Sequence, residues 1–147
     1  MTFSGFIEAL GARLGMEIEN AGGAAAVEID GTVVVLQDAG ELLLLRAEIG
    51  EMPDEGREAL LASAMKANFL YQGTGGATLA VNPADGKLHI QKYNWMERID
   101  AESGLVAIGN LSDTAAAWRR ILADCRPDAE AAHMDSLPIG AEPFLQV

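Results

Sequence analysis

Apolar residues recur at helical spacing at Phe6, Ile7, Leu10 and Leu14, behind Ser4 as a candidate N-cap and ahead of Gly15 as a natural stop. Gly22 and Gly23 break the chain before AAAVEIDGTVVVLQDAGELLLLRAEI, which reads as three strands. Asp30-Gly31 is a strong hairpin signal and Asp38-Ala39-Gly40 forms a second turn, so these strands make an antiparallel meander. Val33-Val34-Val35-Leu36 and Leu42-Leu43-Leu44-Leu45 are apolar at consecutive positions. Antiparallel strands with one wet face alternate instead, so both faces of this sheet call for cover. The pattern leaves open which parity of each strand faces the core.

Pro53-Asp54 opens a second helix, with Asp54 as N-cap and Leu60, Leu61, Ala64, Met65 and Phe69 as its apolar stripe. Two further strands, ATLAVN and KLHIQKY, are joined by the turn Pro83-Ala84-Asp85-Gly86. A third helix runs from about Glu102 to Cys125 and presents Leu105, Ile108, Leu111, Ala115, Trp118, Ile121 and Leu122 on one face. Gly104 and Gly109 weaken its first turns by about 1 kcal/mol each relative to Ala. The predicted order is α-β-β-β-α-β-β-α, an α+β fold with an antiparallel sheet and helices packed on it. Residues 1–125 form this domain, and the Pro-, Ala- and acid-containing remainder, 126–147, reads as a mobile tail with Phe144 and Leu145 as its apolar docking points.

Composition narrows the classes. A chain of 147 residues, half of them hydrophobic, buries one core. A formal charge of −12 argues against nucleic acid and against anionic membrane surfaces, both of which require clustered Lys and Arg. Cys125 is the single cysteine, so no intramolecular disulfide or cysteine metal cluster forms, and its spacing from Trp118, Ile121 and Leu122 places it in a core. Neither a signal peptide nor a membrane-spanning run is present, and the expected location is cytoplasmic.

The chemistry of sites gives little. The glycines of Gly73-Thr74-Gly75-Gly76 leave a helix and enter a strand, the reverse of a dinucleotide-binding turn, and no Gly-Lys precedes Ser or Thr as in a P-loop. The structural reading has Gly73 end the helix in a left-handed conformation while Gly75 and Gly76 admit close backbone approach. His89, between Leu88 and Ile90 and facing away from both, reads as a surface residue; His133 lies in the tail, and neither has a neighbour at ligand spacing. No Gly-x-Ser-x-Gly occurs, and the many carboxylates scatter over turns and helix faces. No enzyme, cofactor or metal is expected.

LLASAMKANFLYQGTGGATLAVNPADGKLHIQKYNW, followed by DTAAAWRRIL at Asp113 to Leu122, resembles the CesT-type class I chaperones of bacterial type III secretion. The likeness lies in the Asn-aromatic-Leu helix end, Gly-Thr-Gly-Gly, the two strands around a Pro/Asp/Gly turn, and the Trp-Arg pair of the closing helix, and it spans most of Phe3 to Cys125. The resemblance implies an α+β homodimer that binds the N-terminal chaperone-binding segment of a secreted effector in extended form, without nucleotide or catalysis. On that reading part of the second apolar sheet face receives the effector. Phe6, Leu10 and Leu14 on the first helix and Val33, Val35, Leu43 and Leu45 on the sheet are the effector-binding candidates. The resemblance places the dimer interface on the second helix and the strand after it, at Leu61, Met65, Phe69, Leu79 and Val81, with Gly75 and Gly76 permitting close approach. Two other classes stay open on the residues: an acidic dimeric adaptor or regulator on the same scaffold outside secretion, and a small hydrolase or isomerase using carboxylates, which would need a concave site with perturbed acids.

Overall fold

The computed structural model describes residues 1–125, so the tail with Phe144, Leu145 and His133 lies outside the described residues. Helix α1 spans Phe3–Leu14 and buries Phe3, Phe6, Ile7, Leu10 and Gly11, an i, i+3, i+4, i+7 face. Its N-cap is Thr2, two residues earlier than Ser4: the Gly5 N–H donates to Thr2 Oγ1 at 3.1 Å. Ser4 instead accepts from Asn20 Nδ2. Gly15 ends the helix with φ of 68°, and the Met16 N–H returns to Gly11 O, a left-handed stop of the kind glycine makes without strain.

Strands β1 (Ala24–Ile29), β2 (Thr32–Ala39) and β3 (Leu42–Glu51) form the expected meander. Asp30 and Gly31 both have positive φ, 50° and 80°, the geometry of a two-residue primed turn that matches strand twist. The register pairs Ala26 with Val35 and Val35 with Arg46. Helix α2 (Arg57–Asn68), β4 (Thr78–Val81), β5 (Lys87–Trp95) and α3 (Ala101–Ala123) follow, and the five strands take the order β1-β2-β3-β5-β4. The predicted element order and antiparallel meander are therefore those observed.

Burial resolves the strand parity. Val34, Leu36, Leu43, Leu45, Ala47 and Ile49 are buried, whereas Val33 is 49 % exposed and Val35, Leu42 and Leu44 are half-buried. Two compact units emerge among the described residues, residues 1–47 with 91–113 and residues 48–90 with 114–125. In the first, α1 and the start of α3 meet at Gly104: a Cβ there would lie 2.6 Å from the fully buried Phe6 ring. Asp100 and Ser103 cap α3 reciprocally, the Ser103 N–H donating to Asp100 Oδ1 and the Asp100 N–H to Ser103 Oγ. In the second unit Leu60, Ala64, Ala67, Leu79, Leu88, Ile90, Ala115 and Trp118 form the core.

Several local readings need correction. Asp54 does not cap α2; Gly56 does, in a left-handed conformation without a side-chain bond, and Asp54 pairs with Arg57 at the surface. Gly73 is not the left-handed helix stop. Helix α2 ends at Asn68, a 3-10 turn follows over Phe69–Tyr71, and the left-handed residues are Leu70 and Tyr71 and then Gly75 and Gly76. Cys125 is half-buried just beyond α3, with Sγ 3.7 Å from Gly56 O, rather than in the core.

Gly104→Ala tests the close approach. Helix propensity alone predicts a gain of about 1 kcal/mol. Contact with an immovable ring predicts a loss of about 1–3 kcal/mol, as for overpacked cores, and urea unfolding should return the loss.

Candidate functional site

Gly-Thr-Gly-Gly is built as a structural loop. The Trp118 indole, fully buried, donates from Nε1 to Gly73 O at 2.9 Å, and the Gly73 N–H donates to Ala67 O. A Cβ on Gly75, whose φ is 61°, would lie 3.3 Å from Thr114 Oγ1. The segment's backbone is thus committed to its own unit. Its exposed product is the stretch before it: Phe69 is 68 % exposed, and Leu70 and Tyr71 are also exposed. Two non-glycine residues in the left-handed region cost of order 1–2 kcal/mol each. They turn the chain sharply after α2 and leave these three side chains outward.

Leu61, Met65 and Val81 are exposed as well, Met65 to 70 %. With Phe69 they give the second unit an apolar surface of the kind that marks interaction sites in soluble proteins. Gly75 is exposed and Gly76 half-buried, while Leu79 is buried within its own chain. Leu79 anchors β4 to α2: Asn68 Nδ2 donates to its carbonyl at 3.0 Å and its N–H donates to Asn68 Oδ1 at 2.8 Å.

In the first unit, the candidates divide. Phe6, Leu10, Leu43 and Leu45 have no exposed surface and form the floor beneath the sheet and α1. Leu14 and Val33 are exposed and Val35 is half-buried. The sequence reading omitted Leu42 and Leu44, which share the outward parity of β3, and Tyr93 and Trp95, exposed on β5 on the face opposite Leu88 and Ile90. Alternation along β5 could have found the aromatics, since Tyr93 and Trp95 are two apart.

His89 is not a surface residue: it is 7 % exposed, and its Nε2 lies 3.0 Å from Asp85 Oδ2. The turn at 82–86 folds Asp85 back over the strand, a contact the i, i+4 spacing alone did not reveal. The Lys87 N–H donates to Asp85 Oδ1, and Lys87 Nζ bridges to Glu48 Oε1 at 3.3 Å. The Lys87 N–H, and after it the His89 ring, hold the Asp85 carboxyl below its ordinary value against the opposing effect of desolvation. The Glu48 carboxylate raises Lys87. Donor atoms of Glu48, Asp85 and His89 fall within 4.8 Å of one another, near enough to share a cation, but the Lys87 ammonium already supplies the positive charge that Glu48 requires. The cluster acts as a clasp on the β4–β5 hairpin.

No curated protein matches the chain significantly. Among solved structures, the chain is similar to the HopA1–SchA chaperone–effector complex, at 20 % identity and a TM-score of 0.65 over 80 % of this chain and 93 % of that one. It is similar to the ExsC–ExsE complex at 19 % identity and 0.65, covering 83 % and 97 %. The heterodimeric ExoU–SpcU complex from the type III secretion system of Pseudomonas aeruginosa follows at 16 % and 0.63, covering 83 % and 98 %. At these identities the likeness establishes the fold. Among the described residues no helix is long and apolar enough to cross a membrane.

The clasp predicts acid lability with a definite sign. A carboxyl whose pKa lies lower in the folded chain gives stability that is present above its unfolded value near 3.8 and lost as pH falls through the folded value. Asp85→Asn should therefore lower the unfolding midpoint at pH 7, and the gap to the parent should shrink as the pH is taken toward 2, read by urea titration at both pH values.

The family rests on direct sequence evidence. The model of the Tir chaperone protein (CesT) family matches residues 5–119, from α1 to the Trp118-Arg119 pair of α3, and the chain belongs to that family.

Proposed function

We propose that this chain is a type III secretion chaperone, a cytoplasmic homodimer that binds the N-terminal chaperone-binding segment of an effector, keeps it soluble and extended, and presents it for export. The observation that carries this reading is membership in the Tir chaperone family, joined to apolar surface on each unit that the described chain leaves uncovered. The relatives in the HopA1–SchA and ExsC–ExsE structures, one described as a chaperone–effector complex, support a protein partner rather than a small substrate.

The two surfaces suit different partners. In the second unit Leu61, Met65, Phe69 and Val81 serve the second copy, with Gly75 and Gly76 at its margin and Leu79 as the buried support beneath. In the first unit Leu14, Val33 and Val35, with Leu42, Leu44, Tyr93 and Trp95, serve the effector, above the floor of Phe6, Leu10, Leu43 and Leu45. Each buried aliphatic anchor contributes roughly 1.5–3 kcal/mol of gross transfer energy. Ordering an extended segment costs about 2–5 kcal/mol or more, so several anchors act together. The net charge of −12 favours a basic segment by steering.

Two experiments check this reading. The parent chain should elute at twice its 15.5 kDa mass by light scattering, and changing Leu61→Asp and Met65→Asp together should give soluble monomer, because both side chains are already exposed. A dimer that survives the double change excludes this interface. A tagged pull-down from the native host with limited proteolysis should yield one protected N-terminal fragment of a larger exported protein. Intact folded cytoplasmic partners, or none, would favour the adaptor class instead.

A further inference from the structure

We infer that Arg46, on the outward face of β3, is a receptor for a carboxylate: the segment that covers this face carries one Asp or Glu at that point, between apolar residues. That an effector supplies the segment rests on the chaperone reading; the requirement for an acid does not.

Arg46 is the charged member of an otherwise apolar patch. Its neighbours Leu45 and Ala47 are buried, so Arg46 shares the outward parity of Leu42 and Leu44. It pairs in register with Val35, which pairs in turn with Ala26. Arg46 is half-buried, and among the described residues its guanidinium has neither a hydrogen bond nor an ion pair. Other arginines find acids: Arg13 pairs with Glu102, Arg57 with Asp54 and Arg98 with Glu97. The acids on the outward parity are engaged or distant. Glu48, two residues along β3, bridges to Lys87, and Glu28 lies two strands away, opposite Val33.

Covering this patch sets a condition on the partner. A segment that lays apolar side chains on Val33, Val35, Leu42 and Leu44 removes the water that solvates Arg46 in the free chain. A guanidinium left in that state is an uncompensated buried charge, which opposes the gain from the apolar anchors around it. An amide carbonyl would satisfy one of its N–H groups and leave the charge. A carboxylate accepts two of them as a fork and neutralises it. An extended chain points alternate residues the same way, so the acid has apolar residues two positions to either side. This local sign runs against the field of the whole molecule. A charge of −12 draws basic segments from a distance, whereas contact at Arg46 selects an acid. The partner segment is therefore basic overall, with one acidic residue among its apolar anchors.

The test uses the full chain, isotopically labelled for NMR, and synthetic nine-residue peptides alternating Val and Lys whose central Val is kept or replaced by Glu or Gln. Both peptide ends are blocked, so the Glu side chain is the sole carboxylate. The Glu peptide should bind at least about tenfold more tightly than the Gln and Val peptides, the effect of a charge-assisted hydrogen bond. Steering by net charge alone predicts the opposite order, because Glu lowers the positive charge of the peptide. The Arg46 Nε–H signal should shift and its exchange should slow with the Glu peptide only. Arg46→Gln should bring the three affinities within about twofold of one another with an unchanged circular dichroism spectrum. Arg46→Lys, which keeps the charge and loses the fork, should retain part of the preference for Glu. Equal or weaker binding of the Glu peptide, no binding of any peptide at millimolar concentration, a preference that survives Arg46→Gln, or slow exchange of the Arg46 Nε–H in the free chain would each overturn the assignment. Recovery of the same exported client by the parent and by Arg46→Glu would keep the chaperone reading and discard this one. Preference for the Glu peptide with no exported client recovered would do the reverse.

Discussion

A β-strand places successive side chains on opposite faces, so Val33 to Leu36 and Leu42 to Leu45 force apolar surface onto both sides of the sheet. Everything else follows from the fact that the described residues enclose only one of them. Val34, Leu36, Leu43 and Leu45 are enclosed, together with Phe6 and Leu10 of α1 and Ile108 of α3. Val33, Val35, Leu42 and Leu44 keep the opposite parity and keep solvent contact. A sheet meant to stand alone would carry polar residues at those four positions. Arg46 and Gln37 show that polar residues are accommodated on the same parity, so the apolar ones are not required by the strand itself.

The second unit solves a different problem by similar means. The loop between α2 and β4 is fixed from below by the Trp118 indole on Gly73 O, a buried carbonyl that would otherwise lack a partner, at a typical desolvation cost of about 1–3 kcal/mol. With the loop pinned there, Leu70 and Tyr71 hold left-handed conformations that an unconstrained chain would leave. The strain has a consequence at the surface, since Phe69, Leu70 and Tyr71 are all exposed beside Met65. Glycine in this loop therefore serves close packing, with Thr114 as the neighbour of Gly75, and not the cradling of an anion.

The elements were legible because each carries a local signal: the 3.6-residue period of α1, the Asp30-Gly31 turn, and the Pro83-to-Gly86 turn between β4 and β5. What stayed illegible depends on tertiary placement. Parity could not be read from strands apolar at every position, and so buried Leu43 and Leu45 stood beside exposed Val33 among the binding candidates. His89 looked exposed from its neighbours, yet the Asp85 turn covers it, a contact set by loop geometry rather than by strand period. Both caps shifted by two residues because Thr2 and Gly56, not Ser4 and Asp54, sit where the first free N–H groups emerge. The family was legible because the resemblance rests on the spacing of many positions at once.

Uncovered apolar surface carries a hazard of self-association, and two features of the chain oppose it. One is charge: at −12, copies repel one another except where a specific packed interface outweighs the repulsion. The other is the distribution of backbone groups, with Ala21 closing Ala24 and Asn68 closing Leu79, so that neither terminal strand offers a long open ladder to a second sheet. A folded partner with a broad flat edge gains little from what remains. An extended segment needs only a short stretch of edge, reaches apolar positions on the adjoining face at alternate residues, and can bring positive charge to an acidic surface. The features that discourage sheet-to-sheet association are thus compatible with capture of a single extended chain, and they define selectivity by what they leave open.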